Sequence, residues 1–211
     1  MQPHKKQAYF ITGTDTGVGK TYFACQLISH FVSLGYQVVG MKPIAAGEDW
    51  VNGEWVNDDA LKLQAASNVK APRALINPYS FRPPIAPHIA AEQANITIEI
   101  ATIQQAFVAL TQLADIVIVE GAGGFLVPIN ANENMADLTK ALDLPTILVV
   151  GMKLGCINHA ALSFEALKAR KIAMAGWIAN ENGQQMDCLT ENITTIAKLA
   201  QQSSKLVTDF N

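Results

Sequence analysis

A chain of 211 residues that is 50% hydrophobic is long enough to bury a substantial core, and its size suits one domain spanning residues 1–211. With 15 basic against 18 acidic side chains, a net charge of −3 and no dense Lys/Arg run, it lacks the electrostatic footprint of a nucleic-acid or membrane-surface binder. Cys25, Cys156 and Cys188 are odd in number and widely spaced, which speaks against a disulfide framework or a paired-cysteine metal site and points to a reducing compartment.

Residues 1–6 are polar and lead into an apolar stretch too short for a signal-peptide core. No run of about 18 apolar residues occurs, so a cytoplasmic protein is expected. Residues 8–11 predict a strand. Ala24, Leu27, Ile28, Phe31 and Leu34 recur at helical spacing and predict a helix from near Tyr22 to a stop at Gly35. Between the two runs Gly13-Thr14-Asp15-Thr16-Gly17-Val18-Gly19-Lys20-Thr21. This is a phosphate-binding loop of the Gly-Lys-Ser/Thr kind, lengthened because Gly13 stands one position early. Gly17 and Gly19 allow backbone N–H groups to turn inward, and the helix that follows aims its partly positive N-terminus at the same point, so a polyanion belongs there. Lys20 suits its terminal phosphates, and the Thr21 hydroxyl suits a magnesium ion bridging them.

Val38-Val39-Gly40-Met41 reads as a buried strand and completes a βαβ unit. Residues 43–57, with glycines and two of the three tryptophans but no steady periodicity, predict a functional loop before a helix over 59–66 that Asn57 or Asp58 caps. Prolines at 72, 78, 83, 84 and 87 make the next stretch extended or turned and exclude a long helix. A helix is predicted over 98–113, and the β-branched run 116–119 is a strand feeding Glu120-Gly121-Ala122-Gly123-Gly124. Further segments are a helix over 137–142, a strand over 146–150, a helix over 158–170, a strand over 174–179 and a polar, helix-like stretch over 189–202. Strands alternating with helices around such a loop predict an α/β fold, a P-loop NTPase-like doubly wound sheet, mostly parallel and flanked by helices. Ligands of these sheets sit beyond the carboxyl ends of the strands. Here those ends carry the phosphate loop, Lys42-Pro43, Glu120 with its glycines, Lys153-Leu154-Gly155-Cys156, and Asn180.

Taken together, Thr12-Gly13-Thr14-Asp15-Thr16 with Val18-Gly19-Lys20-Thr21, Lys42-Pro43, Glu120-Gly121-Ala122-Gly123-Gly124, Lys153-Leu154-Gly155-Cys156-Ile157-Asn158-His159 and Ala175-Gly176-Trp177-Ile178-Ala179-Asn180 resemble the dethiobiotin synthetase family of biotin biosynthesis. The resemblance runs over residues 8–181. It implies that 7,8-diaminononanoate takes up CO2 as a carbamate, that MgATP phosphorylates the carbamate, and that the second amine closes the ureido ring. It implies Lys20, Lys42 and Thr16 as catalytic residues, and Thr21, Asp59 and Glu120 as ligands of Mg2+. Around the nucleotide it places Gly17, Val18, Gly19, Lys20, Thr21 and Tyr22, then Asp59, Glu120, Gly121, Ala122 and Gly123, with Asn180 reading the adenine. Around the diamine it places Ala46, and also Gly155, Cys156, Ile157 and Asn158 reaching in from the neighbour in a homodimer. From periodicity alone Lys42 is equally a solvated lysine ending a strand.

Three positions depart from the family pattern. Gly17 stands where one branch carries Glu, and Ala46 where the family offers a hydroxyl to the substrate. Beyond Asn180 the usual further strand and Pro-containing adenine loop are missing, so a base pocket open on one side is expected. Cys156 is expected to pack as a small apolar residue, since nothing in this chemistry needs a thiolate. His88 and His159 have no second histidine at metal-ligand spacing and are assigned structural roles. The alternative reading is a partitioning-type ATPase switch. That family has a signature lysine five residues before the loop lysine, where this chain has Asp15.

Overall fold

The computed structural model describes residues 7–181, 183 and 185–203; the polar stretch 1–6 lies outside them. In chain order the elements are β1 (Gln7–Gly13), α1 (Lys20–Ser33), β2 (Val38–Met41), β3 (Ile44–Ala46), β4 (Asp49–Val51), β5 (Glu54–Val56), α2 (Asp58–Ala66), α3 (Arg73–Ile76) and β6 (Tyr79–Phe81). They continue with α4 (Pro87–Gln93), α5 (Ile100–Leu113), β7 (Ile116–Glu120), α6 (Met135–Leu142), β8 (Thr146–Gly151), α7 (Cys156–Ala169), β9 (Met174–Asn180) and α8 (Leu189–Ser203). Among the described residues no helix is long and apolar enough to cross a membrane.

The main sheet has the order β2-β7-β1-β8-β9, and every neighbouring pair is parallel, as the alternation of strands and helices predicts. Successive side chains of a strand face opposite sides, and a strand covered on both sides is apolar throughout. Accordingly Phe10, Val39, Met41, Val117 and Val119 pack with Ile103 and Leu110 of α5 and Leu138 of α6. Their neighbours Ile11, Val38, Ile116, Ile118, Ile147 and Val149 pack on the other face with Ala24, Ile28 and Phe31 of α1 and Leu63 of α2. Leu148 and Val150 meet Phe164 of α7 and Ile196 of α8. Each fully buried Ile or Val contributes about 1.5–3 kcal/mol relative to exposure.

One local expectation is corrected. The segment before α2 is not irregular: β4 and β5 form an antiparallel hairpin in which Trp50 pairs with Trp55 across an Asn52-Gly53 turn, both turn residues at positive φ. Its strands are three residues long, too short for alternation to register, and the signal that could have found it is the Asn-Gly pair between two tryptophans. The Trp rings meet at 5.3 Å, and Arg82 lies 4.5 Å over Trp55. Beyond the proline stretch lies a helix that the sequence pattern left unassigned: Pro87 begins α4, because the first turn needs no N–H from it. The other boundaries follow their caps. Asn57 caps α2, while Asp58 lies inside the first turn and pairs with Lys62. Asn134 and Asp137 close a capping box that starts α6 before the predicted residue.

Candidate active site

The phosphate loop joins β1 to the N-terminus of α1. Gly19 is the helix N-cap at φ +93, and a Cβ there would lie 2.1 Å from Asn180 Nδ2, so both conformation and space require glycine. Val18 is 4% exposed, and its methyl groups fill the space over Gly13 and Gly151, where an added Cβ would come within 2.7 Å of them. The side chain thereby pins the loop to β1 and β8. Asn180, the last residue of β9, donates from Nδ2 to the Val18 carbonyl at 2.8 Å and holds the loop from the other strand. Lys20 Nζ donates to the Asp15 carbonyl at 2.9 Å. Burial, with the Lys42 charge adding to it, pushes the Lys20 ammonium down to about 8.

Register brings the acidic half of the site together. Met41 pairs with Val119, so the next residues, Lys42 and Glu120, emerge side by side at the carboxyl edge of the sheet. Asp59 arrives from the first turn of α2. Gly40 permits this, since a Cβ there would fall 2.8 Å from Leu63 Cβ and 2.9 Å from Ile28 Cδ1, and α1 and α2 would have to lift off β2. Lys42 Nζ then donates to Glu120 Oε1 at 2.7 Å, to Asp59 Oδ2 at 2.8 Å and to the Gly121 carbonyl at 3.4 Å, using all three of its protons. Lys42 is 4% exposed and Glu120 1%. Burial works against the Lys42 charge, but Glu120 and Asp59 outweigh it and hold the ammonium above its ordinary value. For Asp59 burial likewise opposes charge, and Lys42 outweighs it, so the carboxyl titrates below its usual range.

Thr21 completes the group: Oγ1 lies 2.8 Å from Asp59 Oδ1 and 2.9 Å from Glu120 Oε1, and its single proton is shared between them. Glu120 Oε2 is buried without a hydrogen-bond partner, which marks a place for a positive group. No cluster of three or more His, Cys, Asp or Glu side chains able to hold a metal occurs among the described residues. Two carboxylates and a hydroxyl nevertheless fit magnesium, a hard cation that usually takes one or two carboxylates and leaves its other positions to water and substrate phosphates.

A cleft of about 720 Å³ opens over these groups. Of the residues expected at the site it is lined by Thr16, Gly17, Gly19, Lys20, Thr21, Lys42, Ala46, Asp59, Glu120, Ala122 and Gly123. Gly121 contributes its carbonyl to Lys42, and Val18 and Asn180 act on the loop without lining the cleft. Three placements differ from expectation. The Tyr22 side chain is 66% exposed and does not line the cleft, because the third residue of α1 points outward. The Asn180 amide spends one Nδ2 proton on the Val18 carbonyl, a tie to the loop that the expected base contact does not include. The Cys156 thiol is 1% exposed in the core beneath α7, and its N–H donates to the Lys153 carbonyl at 2.9 Å, so neither is presented to a substrate.

Gly155, Ile157 and Asn158 stand at the start of α7, outside the cleft lining. Beside α7 a groove of about 390 Å³ is lined by residues including Leu126, Val127, His159 and Leu162. Sequence reasoning also missed supporting residues. Asn57, besides capping α2, donates to the Gly47 carbonyl at 2.7 Å. Buried Asn77 donates to the Lys42 carbonyl at 2.7 Å and to that of Tyr79 at 3.0 Å. A lone Asn before Pro78 reads locally as a turn residue, so nothing near it signals this function. Lys153 donates to Asp15 Oδ2 at 2.9 Å, and that bond, with the Thr16 N–H, holds the Asp15 carboxyl below its usual range.

Comparison with known proteins gives the family. The AAA domain family matches residues 7–206. The ATP-dependent dethiobiotin synthetase of Nitrosospira multiformis is 53% identical over 190 residues, which cover 90% of this chain and 82% of that protein. The chain belongs to the dethiobiotin synthetase family. The enzyme of the same name from Aromatoleum aromaticum is 47% identical over 192 residues, covering 91% and 85%. Among solved structures, a ParA family ATPase from Chlorobium tepidum superposes with a TM-score of 0.56 at 14% identity, covering 96% of this chain and 83% of that one. MinD from Aquifex aeolicus gives 0.54 at 13%, covering 95% and 80%. At such identities these two likenesses speak for the P-loop fold alone.

Proposed function

We propose that the protein is an ATP-dependent dethiobiotin synthetase, a cyclo-ligase of biotin biosynthesis. The observation that carries the site assignment is the contact of buried Lys42 with Glu120 and Asp59 beside the phosphate loop. One amine of 7,8-diaminononanoate attacks CO2, loses a proton and becomes a carbamate. A carbamate oxygen then takes the γ-phosphoryl group of ATP as ADP leaves. The second amine attacks the activated carbonyl, the ring closes, and phosphate departs with the oxygen it acquired.

Phosphoryl transfer needs positioning and charge neutralisation more than covalent help. Lys20, fixed across the loop by the Asp15 carbonyl, supports the terminal phosphates, and Lys42 supports the carbamate and the γ-phosphoryl oxygens. A preorganised donor of this kind is worth about 10²–10³ in rate. Thr16, at the mouth of the cleft, faces the reacting carbamate, and Ala46 lines the diamine side without offering a hydroxyl. Thr21, Asp59 and Glu120 would hold the magnesium of MgATP, which when bound neutralises phosphate charge. Asn180 acts on the nucleotide through the loop, by fixing the Val18 carbonyl.

The active unit in this reading is a homodimer. Leu126 is 50% exposed, Leu154 96% and Leu162 58%, a concentration of apolar surface at the end of the molecule that carries Gly155, Ile157 and Asn158. Pairing through that face would set this segment against a neighbour's diamine. Cys25, Cys156 and Cys188 are free, which suits a reducing, cytoplasmic setting. The test is incubation with 7,8-diaminononanoate, bicarbonate and MgATP, with the product read by mass. Dethiobiotin formed together with ADP is the expected result, and ATP consumption without it would overturn the reading.

A further inference from the structure

The oxygens that would serve a metal ion are already in use. Lys42 Nζ holds Asp59 Oδ2 at 2.8 Å and Glu120 Oε1 at 2.7 Å, the Thr21 hydroxyl spans Asp59 Oδ1 and Glu120 Oε1, and only Glu120 Oε2 is left without a partner. A magnesium ion needs oxygen contacts of about 2.1 Å. Bound to these carboxylates, it would stand within about 5 Å of an ammonium held by the same oxygens. Lys42 and Glu120 are 4% and 1% exposed, so little water screens that repulsion. The charge count leads to the same conflict. Lys20 and Lys42 already balance Asp59 and Glu120, and a dication would leave a buried excess of positive charge unless one ammonium moved away. Lys20 is tied to the Asp15 carbonyl and touches neither carboxylate; Lys42 touches both and also lines the cleft, so it has somewhere to go.

We propose that Lys42 and the divalent cation compete for the Asp59 and Glu120 oxygens, so that metal binding turns the Lys42 ammonium out of the carboxylate pair and into the cleft. The inference rests on the assignment of Thr21, Asp59 and Glu120 as the metal site. Its consequence is an ordered device. Until the nucleotide brings its cation, Lys42 is neutralised by its own chain and withheld from the carbamate; once the carboxylates are taken, its charge is free for the reacting oxygens. The phosphates restore neutrality, so Lys42 is released when there is something for it to stabilise.

The competition can be read without turnover by titrating the nucleotide-free protein with Mn2+ and following the free ion by electron paramagnetic resonance. Lys42→Met is expected to bind Mn2+ about tenfold or more tightly than the unmodified protein, since it removes both the rival and its charge. Lys20→Met removes a neighbouring charge that touches neither carboxylate and reads the field alone; it is expected to change the affinity by less than about threefold. Lys42→Gln, which keeps a hydrogen-bond donor without the charge, covers the case in which Lys42→Met does not fold, and is expected to tighten binding as well. Equal gains in the Lys42 and Lys20 variants, or no gain at Lys42, would overturn the competition. Glu120→Gln separates the underlying assignment: if it leaves Mn2+ binding unchanged, the metal site lies elsewhere and the assignment itself fails.

Discussion

On the β2–β7 side of the site Lys42, Asp59 and Glu120 pair inside a single chain, with Lys42 and Glu120 buried from water. On the β8–α7 side Lys153 and Asp15 form an ion pair that is 45% and 46% exposed, and Leu154 beside it is 96% exposed. Both sides sit at the carboxyl edge of one sheet, yet they answer to different physics. In the sealed network, loss of one member leaves its partners as uncompensated buried charge, which costs about 3–5 kcal/mol. In the open pair, water takes over for a missing partner, and the contribution is about 0–1 kcal/mol. The buried side is a charge network held within this chain, and the open side presents surface whose worth depends on what covers it.

The sharpest way to break this contrast is to remove one lysine from each side. Lys42→Ala is expected to lower kcat by about 10² or more through lost charge stabilisation, while Lys153→Ala leaves thermal stability within about 1 kcal/mol. Steady-state kinetics and melting curves of the two variants check this, and comparable losses in both would show that the two sides do not differ as described.

A smaller effect comes from pH. Lys20 titrates at about 8 in the folded protein against an ordinary value of 10.5. Above that pH the free enzyme loses the ammonium that meets the phosphates, so kcat/KM for MgATP is expected to fall about tenfold between pH 7 and 9. Lys20→Arg, with a cation that does not titrate there, should remove this alkaline limb. Stability runs in the opposite direction. Between about 8 and 10.5 the unfolded chain holds more protons at Lys20 than the folded one, so this residue's contribution to stability rises with pH across that window. A pH profile of kcat/KM that is flat to pH 9 would place Lys20 outside phosphate binding.

The smallest expected effect is on the open side. Leu162→Asp puts a charge on the apolar face beside α7 and is expected to shift the protein toward monomer in analytical ultracentrifugation. The KM for the diamine should rise by about a few-fold to tenfold, with folding unchanged. A variant that sediments as the unmodified protein does would show that this face is not where two copies meet.

How far the site can be read in advance follows from how local its causes are. The phosphate loop is legible because its residues are contiguous and each choice, from Gly19 at positive φ to Lys20, serves the same turn. The strands of the main sheet are legible because burial, on both faces for β2, β7 and β8, demands unbroken apolar runs. The β4–β5 hairpin is not, since its strands are three residues long, and α4 hides behind a proline that breaks helices everywhere except in their first turn. Asn77 and the loop contact of Asn180 escape because each works on a backbone carbonyl far along the chain: Asn77 on that of Lys42, 35 residues away, and Asn180 on that of Val18, 162 residues away.

By itself the sequence determined the strands of the main sheet and their alternation with helices, the phosphate loop, and the placing of polar groups at strand ends, because these are matters of periodicity and of neighbouring residues. Only the tertiary structure decided that Lys42 lies between Asp59 and Glu120, which are 17 and 78 residues from it. The physical reason is that the pairing of β2 with β7 and the close approach of α2 at Gly40 carry these three side chains into one group, with Lys42 and Glu120 buried and Asp59 at the edge of the cleft. There the charge of each is set by the other two.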